Sequence, residues 1–184
     1  AEGLRFGVYF SLCDWHHPDY MTAPRSSPPG PGLLPEQLDP VRWERFVDFM
    51  HGQIRELLTN YGRLDVMWFD GGWEHTPEQW RALEMHQMIR RLQPHIIIND
   101  RGTGGYGDYA TPEQTIPEGG LSRPWETCMT INGTWAYNPA DRNFKSLDDL
   151  LGCLARTSGG GGNLLLNIGP MPTGEVQTEF IERL

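Results

Sequence analysis

Five short apolar runs recur along this chain, and three of the four gaps between them carry a stretch of helical spacing. The runs are LRFGVYFS (4–11), LDVMWFD (64–70), HIIIND (95–100), WETCMTI (125–131) and NLLLNIGP (163–170). Strand followed by helix, repeated, builds βαβ units around a parallel sheet. In the first run Arg5, Gly7, Tyr9 and Ser11 alternate with Leu4, Phe6, Val8 and Phe10, so the two sets face opposite ways. In the second, Leu64, Val66, Trp68 and Asp70 share a face, which sets Asp70 at the strand's end above Trp68.

The helical patterns have recognisable starts. Asp39-Pro40 supplies an N-cap and a first-turn proline, and Phe46, Val47, Met50, Ile54, Leu57 and Leu58 follow at helical spacing up to Asn60-Tyr61-Gly62. Thr76-Pro77-Glu78-Gln79 reads as a capping box opening a helix that carries Trp80, Leu83, Met88 and Leu92 and stops before Pro94. Ser146 caps a helix with an apolar stripe of Leu147, Leu150, Leu151 and Leu154, broken by the glycines at 159–162. Val176, Phe180, Ile181 and Leu184 begin a last helix. The Pro/Gly/Ser-rich stretch at 27–35, within 18–40, reads as an excursion over a site, because long structureless loops are uncommon in a compact domain.

Polar residues collect where the runs end, at 11–17, 70–75, 99–101, 132–135 and 167–170. In a (β/α)8 barrel the chemistry sits on the loops at the carboxyl ends of the strands. The expected fold class is therefore α/β, a partial (β/α)8 TIM-like barrel of about five C-terminal βα units with the first three strands absent. The opening AEGLRFGVYF and the closing TEFIERL are both abrupt, which suggests a fragment. No GxGxxG follows a strand, which argues against a dinucleotide site.

Composition narrows the partners. Acidic residues number 24 against 15 basic ones, and Lys145 is the only lysine, so no basic stripe is available for phosphates or anionic lipids. Nucleic acid and membrane are not expected partners, and no apolar stretch approaches about 18 residues. Seven tryptophans suit flat apolar faces such as those of sugar rings. Cys13, Cys128 and Cys153 are odd in number and far apart, and read as buried thiols rather than a disulfide or zinc framework.

Several residues could carry chemistry. Asp70 is either a turn residue of Asp-Gly-Gly or a carboxylate at a site mouth, and the local pattern leaves both open. Glu113, in GDYATPEQTIP, is either a solvated loop acid or a site acid. Glu126 opens a strand, where a charge needs a partner, so it is an ion-pair residue or part of the site. Two carboxyls converging from different loops are what glycoside hydrolysis needs. Arg101, after HIIIND, is a surface charge or a site residue. No cofactor is expected, and no metal either, since adjacent His16 and His17 point different ways and HExxH is missing.

The blocks LRFGVYFSLCDW, DVMWFDGGWE, NDRG, GDYATPEQTIP, WETCMTINGTWAYN and NLLLNIGPMPTGEV, in that order, resemble the α-L-fucosidases of glycoside hydrolase family 29 along the whole chain. That resemblance implies a (β/α)8-like catalytic barrel, with residues 1–184 forming part of it, and hydrolysis of terminal α-L-fucosides with retention. It implies Asp70 as nucleophile and Glu113 as acid/base, with Glu126 in reserve. It also implies that Tyr9, Trp68, Arg101 and Trp135 bind fucose, and that the partner is a fucosylated glycan. Glu113, protonated at first, is expected in apolar surroundings supplied by Trp68 and Trp135.

Family members carry an earlier strand and a paired-histidine segment upstream of the LRFGVYF block, and a C-terminal β-sandwich; this chain is expected to lack both. His16 and His17 are not that pair. A homo-oligomer and a periplasmic, secreted or lysosomal-type compartment are compatible with the resemblance. Two rival classes are a catalytically silent fucose-binding fragment and a metal-dependent barrel hydrolase that uses Asp14, His16, Asp70 and His75 as ligands.

Overall fold

The computed structural model describes residues 3–21, 38–102 and 104–184. The Pro/Gly/Ser excursion expected at 27–35 lies outside the described residues. The chain forms two compact units, Ala1–Asp108 and Tyr109–Leu184.

In the first unit β1 (Gly7–Ser11), β2 (Val66–Asp70) and β3 (Ile97–Ile98) form a parallel sheet in the order β1-β2-β3. The register runs from Gly7↔Val66 to Ser11↔Asp70, and Met67 pairs with Ile98. One sheet face, with Val8, Phe10, Met67, Phe69 and Ile98, packs into the core under α1 (Pro40–Asn60) and α2 (Ala82–Leu92). The other face carries Tyr9, Ser11, Val66, Trp68 and Asp70. Alternation starts only at Val66. Leu64, expected on the Trp68 face, is instead fully buried in the core, because residues 64–65 precede the strand.

Helix α1 starts as the sequence predicts, with the Asp39 side chain accepting from the backbone N–H groups of Val41 and Arg42. Phe46, Val47, Met50, Ile54 and Leu58 are all buried, each worth about 1.5–3 kcal/mol of burial. Helix α2 starts later than expected. The Thr76–Gln79 bonds do form, from Thr76 N–H to Gln79 Oε1 at 2.9 Å and from Gln79 N–H to Thr76 Oγ1 at 3.3 Å, but they close a separate turn. Arg81, with φ of 48°, then breaks helical continuity, and its guanidinium pairs with Glu44 and Asp48 of α1. Trp80 is buried on that turn, whereas Leu83 is exposed.

In the second unit β4 (Glu126–Thr130) and β5 (Asn163–Asn167) pair in parallel from Glu126↔Asn163 to Thr130↔Asn167. Bridges Ala110↔Trp125 and Glu113↔Cys128 lay residues 110–113 alongside β4. Helix α3 (Leu147–Gly159) has the Ser146–Asp149 capping box in both directions. Its buried face is Leu150, Cys153 and Thr157, while Leu147, Leu151 and Leu154 of the expected stripe are exposed. Leu150 joins Ile131 and Phe180 in a small core. The last helix, α4, is one turn, Thr178–Ile181.

Candidate active site

The two glycines after Asp70 explain how the strand end is built. Gly71 has φ of +80°, a conformation that L side chains rarely adopt, and an added Cβ there would meet Cys13 Sγ at 2.6 Å. Cys13 donates its S–H to Gly71 O at 3.2 Å, and burial pushes its thiol up to about 12, so it stays a neutral thiol. Gly72 approaches the loop after β3 so closely that a Cβ would lie 1.6 Å from Gly102 O. Its N–H donates to Arg101 O at 3.2 Å. These two contacts bring Arg101 to Asp70.

Each Asp70 oxygen then faces one donor. Tyr9 OH donates to Oδ2 at 2.8 Å, and Arg101 Nη1 lies 3.5 Å from Oδ1. Asp70 and Arg101 are both largely sheltered, at 23 % and 15 % side-chain exposure. Trp68 completes the group: its ring stacks on Tyr9 at 5.6 Å between centroids, and the Arg101 guanidinium lies 5.0 Å over it. Much of Tyr9 is exposed, yet its hydroxyl is bound to Asp70. Partial burial, then that bond, raise its pKa, so the phenol remains a donor. Four residues expected at a site from the sequence thus stand together at the carboxyl end of this sheet: Asp70, Tyr9, Trp68 and Arg101.

Sequence reasoning assigned no role to three further groups. Asn99, 1 % exposed, accepts from Phe69 N–H and donates to Phe69 O, both at 2.8 Å. A buried amide ending an Ile-Ile-Ile run was the available signal. Glu74 accepts from the Trp15 indole at 3.1 and 3.2 Å and from the Tyr20 hydroxyl. Cys13 is the third. Nothing in its spacing marked it, since its contact is with a residue 58 positions away.

The ligands named for a metal-dependent hydrolase do not converge. Asp14 caps the turn at His16 and His17, and His75 is buried in an aromatic pocket with Trp43 at 4.1 Å. Among the described residues no three His, Cys, Asp or Glu side chains could hold a metal ion.

In the second unit Glu113 sits on the edge segment beside Cys128 and is exposed. Glu126 lies at the opposite, amino-terminal end of β4, where Asn163 Nδ2 donates to its Oε2 at 2.7 Å. Trp135, 41 % exposed, is held over the carboxyl end of β5 by Asn167 Nδ2, which donates to its carbonyl at 2.8 Å. A polar cavity of about 450 Å³ in this unit is lined by Gln114, Thr130, Asn132 and Lys145, among others. No helix among the described residues is long and apolar enough to cross a membrane.

The family model described as Alpha-L-fucosidase matches residues 1–184. Among curated relatives, a putative alpha-L-fucosidase of Caenorhabditis elegans is 29% identical over 98% of this chain and 37% of its own length. The plasma alpha-L-fucosidase of Homo sapiens is 30% identical over 98% of this chain and 38% of its own. The chain thus spans well under half the length of these relatives. Among solved structures, alpha-L-fucosidase isoenzyme 1 from Paenibacillus thiaminolyticus has a TM-score of 0.86 at 37% identity, covering 99% of this chain and 47% of that one. A GH29 alpha-L-fucosidase from Bacteroides thetaiotaomicron, trapped as a covalent intermediate in complex with 2-fluoro-fucosyl fluoride, has a TM-score of 0.83 at 26% identity over 99% and 45%. The α/β fold is similar to the catalytic domain of those enzymes.

Proposed function

The chain belongs to the alpha-L-fucosidase family, and on that premise we propose that it is part of the catalytic domain of a retaining α-L-fucosidase acting on terminal α-L-fucosides of glycans. On this reading the three parallel strands of the first unit and the two of the second belong to a (β/α)8-like barrel, about five C-terminal βα units of the eight, with residues 1–184 as a partial barrel domain. The observation that carries the reading is the carboxylate of Asp70 at a strand end, between the Tyr9 hydroxyl and the Arg101 guanidinium and beside the Trp68 ring.

The proposed chemistry has two displacements. The Asp70 carboxylate attacks the anomeric carbon, the glycosidic bond breaks, and Glu113 gives its proton to the departing oxygen. Glu113 then takes a proton from water, whose oxygen attacks the anomeric carbon and releases Asp70. Retention calls for the two carboxyls about 5–5.5 Å apart at reaction. Tyr9 and Arg101, each on one oxygen of Asp70, fix the direction from which it attacks. Trp68 and Trp135 offer apolar faces to fucose and its methyl group. Glu126 is the less favoured acid/base, since it lies at the amino-terminal end of β4 and is bound to Asn163.

The test is mass spectrometry of the protein, as its gene encodes it, after inactivation by a 2-fluoro-fucosyl fluoride. A fucosyl adduct on Asp70 is expected. An adduct elsewhere rejects the nucleophile, and fucose binding with neither turnover nor adduct rejects the enzyme in favour of a silent binding protein.

A further inference from the structure

Trp15 presents an unusual combination: an indole that is 60 % exposed yet fastened. Its N–H donates to both oxygens of Glu74, at 3.1 and 3.2 Å. Glu74 also accepts from the hydroxyl of Tyr20, itself only 7 % exposed and packed edge-on against Phe46 at 4.8 Å. The indole is thereby tied to the core of the first unit. Its own turn is fixed as well, because Asp14 Oδ1 accepts from His16 and His17 N–H, both at 3.1 Å, and Tyr20 N–H donates to His17 O at 3.0 Å.

The turn that carries this ring follows directly on the strand that pairs with Asp70. Ser11 pairs with Asp70, Leu12 N–H donates to Asp70 O at 2.9 Å, and Cys13 reaches Gly71. Trp15 and Glu74 each follow those paired strand ends by four residues, a reach of at most about 14 Å of chain. An exposed indole forfeits the burial free energy of a large apolar side chain, and a free one would rotate. A charge-assisted tether that holds an exposed indole in place on the loop after the strand paired with Asp70 is what a stacking platform for a sugar requires.

We propose that Trp15, positioned by Glu74, is the platform for the sugar to which fucose is attached, a leaving-group subsite distinct from the Tyr9–Trp68–Arg101 group. The inference rests on the fucosidase reading. A pyranose stacks its C–H face on the indole while its glycosidic oxygen stays over Asp70. Glu74 acts through Trp15 as a positioning residue.

Two substrates separate the subsite from the reaction: α-L-fucosyl fluoride, whose leaving group has no ring, and the fucosyl disaccharide that the natural protein turns over best. For Trp15→Ala the ratio of kcat/KM on disaccharide to that on fluoride is expected to fall at least tenfold, and for Trp15→Phe at least threefold. Glu74→Gln should lower the ratio alone but add nothing in the Trp15→Ala background, since the pair acts as one unit. An unchanged ratio in Trp15→Phe, or equal losses on both substrates, overturns the platform and assigns Trp15 to packing. Wild-type turnover of fluoride but of no disaccharide overturns it too. Turnover of neither substrate rejects the fucosidase reading itself.

Discussion

Asn99 clasps the peptide of Phe69 from both sides, accepting its N–H and donating to its carbonyl, each at 2.8 Å. Strand β3 is only two residues long, so this side chain continues the ladder where the backbone of β3 has stopped. The clasp fixes the backbone one residue before Asp70. Replacing Asn99 with Ala leaves two buried polar groups of Phe69 without these partners, at about 1–3 kcal/mol each. Asn99→Ala is therefore expected to lose about 2–6 kcal/mol in urea unfolding. Asn99→Asp should lose no less, because a carboxylate oxygen would face the Phe69 carbonyl. An Asn99→Ala protein as stable as wild type would show that the clasp carries no weight.

The approach of Gly72 to Gly102 gives a second prediction. A Cβ at 1.6 Å from a backbone oxygen has no flexible neighbour to yield, so Gly72→Ala must push apart the loops that carry Asp70 and Arg101. A cost of about 3 kcal/mol or more is expected, at the upper end for overpacking, together with at least about a tenfold loss of kcat/KM, since small misplacements at a reacting centre are costly. Gly52 on α1 is the control. Nothing lies within 4 Å of its added Cβ, so Gly52→Ala should stabilise by roughly 0.5–1 kcal/mol. Similar effects at both glycines would sink the close-approach argument.

The two candidate acids differ in what their removal should do. Loss of a general acid costs about 10²–10⁴-fold, and the loss is greatest where the departing oxygen most needs a proton. Glu113→Ala should retain turnover of an activated aryl fucoside while losing most of its activity on a fucosyl disaccharide. Glu126→Gln keeps an acceptor for Asn163 and should change stability by no more than about 1 kcal/mol. Equal losses on both substrates in Glu113→Ala would move the role to Glu126.

Buried histidines set the acid side of the stability curve. Burial, then the neighbouring Arg90, lower the pKa of His86 to about 4, and burial also lowers those of His51 and His75. An unfolded chain takes up these protons near pH 6.5, while folded His86 refuses its proton until about 4. The His86 contribution to folding stability is thus full above pH 6.5 and declines as pH falls towards 4, with up to about 3 kcal/mol at stake. Urea midpoints measured from pH 7 to 4 should show this fall, and His86→Phe should flatten it. A slope that His86→Phe leaves untouched would place the effect elsewhere.

Much of this could be read from the sequence because the responsible signals are local. A strand's period of two puts Tyr9 on the face opposite Val8 and Phe10 whatever surrounds it, and Asp39-Pro40 and Ser146 cap helices through bonds to residues within three positions. The faces of α2 and α3 were harder. Leu83, Leu147, Leu151 and Leu154 are apolar and well spaced, yet exposed, because burial depends on which neighbour covers a stripe and the stripe itself does not say. The late start of α2 has the same origin. Its capping box forms, but Arg81 is drawn to Glu44 and Asp48 on another helix, a competition that no local pattern contains.

By itself the sequence determined the strand and helix order, the caps and the chemical kinds of group gathered at the strand ends, since these follow from periodicity and from bonds a few residues long. Only the tertiary structure decided that Tyr9, Arg101 and Asp70 meet, that Asn99 holds Phe69 and that Glu74 holds Trp15. Those pairs lie 30 to 61 positions apart. Their geometry depends on strand register and on two glycines that let backbones touch, and register is fixed by the packed core.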